Sequence, residues 1–126
     1  MEGRLSAIAA QHGVTDPLPL AWRGDCPPLT NKNAVDAVCS IANEAAIELK
    51  RKFDLPVCLI WIDTLITAAD FASGEDNDAA AAQSVMTALR DISLRTGAMV
   101  VGIDHFGKVM ESGTRGSSAK EGAADT

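Results

Sequence analysis

The sequence predicts an α/β fold built on a parallel sheet, and three observations carry that prediction. Helical periodicity and apolar strand segments alternate from about residue 30 to residue 104. The two strand segments, VCLIWID at 57–63 and AMVVGID at 98–104, are continuous apolar runs without the every-second-residue alternation of a half-exposed strand. Each follows a helix, and helix, buried strand, helix, buried strand is the order of a parallel sheet with right-handed crossovers. Strands of this kind are expected to be covered on both faces.

The elements follow in order. Residues 3–13 read as the tail of a helix in which Leu5, Ile8 and Ala9 share a face and Gly13 supplies the left-handed terminator. No capping residue precedes it, which suggests that the chain continues a longer domain. Residues 14–29 hold four of the five prolines, and PLPLAW allows at most a short edge strand before a loop through Gly24, Pro27 and Pro28. Thr30 or Asn31 is the expected cap of a long helix reaching about Phe53. Its apolar positions Val35, Val38, Ala42, Ala45, Leu49 and Phe53 recur at three and four residues, opposite Asp36, Glu44, Glu48 and Arg51. After the first strand an acidic loop, Asp70 to Asp78, leads to a helix capped near Asn77. That helix runs through Ala82, Val85, Leu89 and Ile92 to Gly97, with Arg90 and Arg95 near its negative end. Beyond His105 the chain is rich in glycine, serine and charge and reads as a long loop.

Composition sets the outer bounds. A chain of 126 residues, 47% hydrophobic and 22% charged, with 4% aromatic residues and no tyrosine, supports one domain whose core is aliphatic. Disorder, collagen and a pure coiled coil are excluded. Eleven basic against seventeen acidic residues give a formal charge of −6 without any basic block, which argues against a sequence-wide electrostatic grip on DNA. The longest apolar run, Leu55 to Ile62, is far short of a membrane span, and the N-terminus has no apolar signal-peptide core, so a cytoplasmic setting is expected. Cys26, Cys39 and Cys58 lack CxxC spacing and nearby histidines, and read as reduced, buried or half-buried thiols.

Chemistry is expected at the carboxyl ends of the strands, where open α/β sheets bind ligands. One strand ends in Asp63-Thr64 and the other in Asp104-His105. Hydrophobic residues followed by a strand-end aspartate form a Walker B pattern, in which a buried strand holds a carboxylate rigidly toward hydrated Mg²⁺. Apolar strands ending in aspartate are also common without that role. His105 is placed to hydrogen-bond a terminal phosphate or act in acid–base chemistry, or simply to satisfy a loop carbonyl. Lys108, Arg115, Ser117 and Ser118 add positive charge and hydroxyl donors to the same rim, either facing phosphate or lying on a solvated loop. The GEDND stretch lacks EF-hand spacing and reads as a solvated turn with a helix cap.

In order and spacing, LIWIDT, the Asp-Asn-Asp helix start, a helix ending in Thr-Gly, VVGIDHFGK and GTRGSSAKEGAADT together resemble the RecA-like AAA-type ATPases that include RepA hexameric replicative helicases. The resemblance spans nearly the whole chain and is strongest from residue 57 onward. It implies a RecA-like three-layer sandwich, ATP with Mg²⁺ as cofactors, action on DNA and a hexameric ring. It casts Asp63 as the Walker B aspartate and metal-holding residue, with Thr64 beside it. His105 becomes a sensor of the γ-phosphate, with Lys108 as the basic position a few residues on. Arg115 becomes an arginine reaching nucleotide or DNA across a subunit boundary, with Ser117 and Ser118 alongside. Many members carry two adjacent histidines where this chain has Asp104-His105.

The chain departs from that family in one larger way: it contains no GxxxxGK[ST], so no backbone loop or lysine is present to cradle β- and γ-phosphates. The expectation is a single partial RecA-like domain over residues 1–126. It would contribute the Walker B and sensor elements of a helicase-type ATPase, lack the P-loop strand and the C-terminal strands, and be inactive alone. The alternative is a non-catalytic interaction module or a degenerate remnant. A metal-dependent hydrolase using Asp63, Asp104 and His105 would need a further histidine ligand cluster.

Overall fold

A computed structural model describes residues 2–69 and 79–103. The expected cap near Asn77, the acidic loop at 70–78 and everything beyond Ile103, including Asp104, His105, Lys108, Arg115, Ser117 and Ser118, lie outside the described residues. The element order is α1 (Glu2–Gln11), α2 (Ala34–Phe53), β1 (Leu59–Asp63), α3 (Leu65–Ala69), α4 (Ala79–Thr96) and β2 (Met99–Ile103). This is the predicted α/β arrangement, a partial RecA-like pattern of helices against parallel strands.

α1 ends as its sequence requires. Gly13 adopts φ 75°, a left-handed conformation open to glycine at no steric cost, and Val14 N–H closes the turn by donating to Ala9 O at 2.9 Å. The face expected to pack is only partly used: Leu5 and Ala9 are half-buried, whereas Ile8 is exposed. The PLPLAW segment forms no strand. Its prolines cannot donate to a ladder, and Leu20 N–H turns back to Leu18 O at 2.8 Å.

α2 starts later than its cap signals suggested. Asn31 accepts from the backbone N–H of Asn33 through Oδ1 and from that of Ala34 through its carbonyl, both at 3.0 Å, while the Thr30 hydroxyl is spent on α3. The helix buries Ala34, Val38, Cys39 and Ala42, and its charged face of Asp36, Glu44, Glu48 and Arg51 is exposed as expected. Glu48 is held below the usual carboxylate range by hydrogen bonds from Arg51 and Lys52. α4 buries the predicted stripe Ala82, Val85, Leu89 and Ile92. Gly97, at φ 69°, ends it by donating its N–H to Ser93 O at 2.8 Å. Across the helix pair, Arg95 Nη1 donates to Asp36 Oδ1 at 2.7 Å, and this contact raises the arginine pKa.

β1 and β2 pair in parallel, residue for residue from Leu59↔Met99 to Asp63↔Ile103. In that register Ile60, Ile62, Val100 and Gly102 share one face of the sheet. Ile62 is buried there with Leu65, Val38, Val85 and Ile92, and Ile60 and Val100 pack against the same cluster. The opposite face differs from the expectation of two-sided cover: Leu59, Trp61 and Met99 are 46%, 60% and 66% exposed. The reason is that α2 and α4 pack against each other and bury the same sheet face, leaving no helix among the described residues to cover the other. The described residues therefore make two layers, not the three expected.

The thiols also correct a prediction. All three are free, but only Cys39 is buried, while Cys26 and Cys58 are exposed. Cys26 Sγ lies 3.5 Å from the Pro27 carbonyl oxygen. Partial desolvation, with a smaller contribution from the Asp25 carboxylate, raises its thiol above the usual cysteine range.

Two measurements check this packing. Ile92→Ala removes a fully buried side chain and should cost about 2–5 kcal/mol in urea unfolding, whereas exposed Ile47→Ala should stay within about 0.5 kcal/mol. Because a raised thiol pKa means less thiolate at any given pH, Cys26 alkylation followed by mass spectrometry should inflect at higher pH than free cysteine run in parallel.

Candidate functional site

The site begins with the level ending of the two strands. Ile62 is anchored in the core, so the next residue, Asp63, leaves the sheet at a fixed point. Asp63 pairs in register with Ile103, the last residue of β2. The Asp63 carboxylate is exposed, and no hydrogen bond or ion pair reaches it from the described residues. The Asp63–Thr64 peptide is cis.

Thr64 is the hinge from strand to helix. Its Oγ1 lies 3.1 Å from Thr67 Oγ1 and accepts from the Thr67 backbone N–H at 3.4 Å, a cap on the first turn of α3. Its carbonyl accepts from Ala68 N–H at 2.9 Å. A hydroxyl offers one proton and two lone pairs, so this one retains capacity for a further contact. The end of α3 is tied to the loop before α2: Leu29 N–H donates to Ala68 O at 2.8 Å, and Thr30 Oγ1 donates to Ala69 O at 2.9 Å. Two carbonyls that a short helix would otherwise leave unpaired are thereby satisfied.

Of the predicted site residues, the described structure therefore places Asp63 and Thr64 together at the carboxyl end of β1. His105, Lys108, Arg115, Ser117 and Ser118 belong to the segment outside it. An exposed carboxylate beside a hydroxyl offers hard oxygen donors, the chemistry Mg²⁺ prefers when it retains water ligands. Among the described residues there is no cluster of three or more metal-ligating side chains. Two open grooves lie elsewhere. One, of about 620 Å³, is lined by Ala42, Ile47, Lys50 and Val57 among others, and one, of about 310 Å³, by Asn31, Lys32, Thr87 and Asp91 among others.

Sequence reasoning passed over Thr67, Leu65 and the Leu29–Thr30 clamp. Thr67 stands three residues after Thr64, the spacing of a helix cap with its N3 partner, so that signal was available. The clamp had no local signal, because it joins residues 39 apart.

The described residues form an α/β unit whose two parallel strands end level, and open α/β sheets bind ligands outside the carboxyl ends of their strands. The family described as AAA domain matches residues 1–111, and the chain belongs to that family. Domains of this kind bind nucleotide, generally with Mg²⁺. Comparison with curated proteins and comparison with solved structures each gave no match. No helix among the described residues is long and apolar enough to cross a membrane.

Since no described residue pairs with the Asp63 carboxylate, Asp63→Asn should leave urea-unfolding stability within about 0.5 kcal/mol of the parent chain. A larger loss would mark it as a structural group.

Proposed function

We propose that this chain supplies the Walker B and sensor side of an AAA-type ATPase that works on DNA in the manner of RepA-like helicases. The observation that supports this reading best is the carboxylate of Asp63, exposed and without a partner among the described residues, at the end of a parallel strand anchored through Ile62 in a chain of the AAA domain family. Asp63 would hold Mg²⁺ through its water shell, with the Thr64 hydroxyl beside it. The metal would offset negative charge developing on the phosphate oxygens. The strand's task is to prevent the carboxylate from moving as that charge develops, so that little reorganisation is needed.

The remaining roles rest on the sequence. His105 would sense the terminal phosphate, Lys108 would add a cation at the same rim, and Arg115 with Ser117 and Ser118 would reach nucleotide or DNA, across a subunit boundary in a hexameric ring. The 126 residues carry no GxxxxGK[ST], so the main phosphate cradle would come from residues outside this sequence, and the elements present would be inactive by themselves. With a net charge of −6, DNA contact would depend on local loops or on other segments. A non-catalytic interaction module remains the competing reading, and the uncovered apolar face around Trp61 is the observation in its favour.

Calorimetric titration of the 126-residue chain with Mg·ATP should give a dissociation constant of about 1 mM or weaker, since the backbone amides and lysine of a P-loop are lacking. Micromolar binding would overturn the division of labour proposed. In a protein joining these residues to a GxxxxGK[ST] loop, Asp63→Ala should lower Mg²⁺-dependent ATP turnover by roughly two orders of magnitude or more, and His105→Ala should slow it. Unchanged turnover in both variants would favour the interaction module.

A further inference from the structure

We propose that Gly102 is a positioning residue for the Asp63–Thr64 pair, acting through Leu65. The inference rests on the reading of Asp63 as the metal-holding carboxylate. Gly102 pairs with Ile62 on the inner face of the sheet, one residue before the end of β2. A Cβ at this position would lie 2.5 Å from Leu65 Cδ2, 2.7 Å from Cγ and 2.9 Å from Cδ1, all closer than carbon atoms can approach without displacement. The missing side chain is therefore the seat on which Leu65, the first residue of α3, is buried.

The seat sets more than one side chain. Rotation about the Leu65 Cβ–Cγ bond moves only the two methyl carbons, so clearing Cγ requires turning the side chain about Cα–Cβ or shifting the backbone that bears it, and the core cluster around this buried leucine opposes the first. α3 cannot slide away along its axis to make room, because Leu29 and Thr30 hold its last two carbonyls. A backbone shift at Leu65 is passed through Thr64 to Asp63, to which Leu65 is joined by two peptide bonds. Glycine in an apolar strand marks a close approach, and here the approach is by the residue that follows the Asp63–Thr64 pair.

The test uses ¹H–¹⁵N spectra and amide hydrogen exchange of the full chain, with Mn²⁺ as a paramagnetic probe. Gly102→Ala should shift the amide resonances of Thr64 to Thr67 and speed exchange of the Ala68 amide at least tenfold, while Val38 and Val85 in the helix layer keep their positions. Adding Leu65→Ala to Gly102→Ala removes the clashing atoms and should return the Thr64 and Thr67 resonances toward the parent. If Gly102→Ala does not fold, Leu65→Ala alone carries the test: emptying the seat should loosen the Ala68 amide in the same way. Unmoved Thr64–Thr67 resonances, shifts spread equally over α2 and α4, failure of the double variant to restore them, or an unchanged Ala68 amide in Leu65→Ala would overturn the proposal. Mn²⁺ addresses the other reading separately. It should broaden Asp63 and Thr64 in the parent chain and change that pattern in Gly102→Ala. Absence of broadening in the parent would remove the metal role of Asp63 and with it the functional weight of Gly102, even where the shifts and their rescue establish the mechanical coupling.

Discussion

Two parallel strands cannot be joined by a tight turn, because the chain must travel back the full length of the sheet before the second strand begins. That requirement organises this protein. Between Asp63 and Met99 the return path includes α3 and α4, and α4 must bury its apolar stripe on the sheet it crosses. α2 and α4 pack against each other over the same sheet face, with Ile92 and Val85 sealed between them and the strands. The even register then brings the two strand ends level, so that Asp63 and Ile103 lie side by side at one rim.

The rim is built from unequal parts. Asp63 contributes nothing visible to folding: its carboxylate is exposed and has no partner among the described residues. Thr64, by contrast, caps α3, and α3 is bound at one end by the Leu65 seat and at the other by Leu29 and Thr30. The carboxylate is thus attached to a constrained turn, while its own oxygens have no partner among the described residues. The hydroxyl pair Thr64–Thr67 lies on the same turn and shares its constraint.

The uncovered sheet face and the exposed thiols show where local pattern misleads. LIWID reads as doubly buried because all four apolar residues precede the aspartate without a polar interruption, yet only Ile60 and Ile62 turn toward helices. Strand residues point to alternate faces whatever their chemistry, and cover depends on whether a second layer is present. Cys58 precedes the strand on the side of Ile60 and Ile62, yet it is exposed, because the helix layer does not extend over the start of the strand. The PLPLAW segment erred in the other direction: its apolar residues fit a strand, but the prolines remove the donors that a ladder needs.

Periodicity alone determined the two long helices, both strands, their parallel order and the position of Asp63, because each depends on spacing within a single segment or on the helices that connect them. The stripe Ala82, Val85, Leu89 and Ile92 and the left-handed glycines at 13 and 97 were legible on that ground. Tertiary structure alone decided which sheet face is covered, where Thr30 spends its hydroxyl, and why a glycine occupies position 102. Those outcomes depend on atoms from segments 37 to 39 residues apart meeting at distances of a few ångströms. Local pattern carries the tendency of each segment to be helix or strand, whereas contact between distant segments is settled only when the whole core packs.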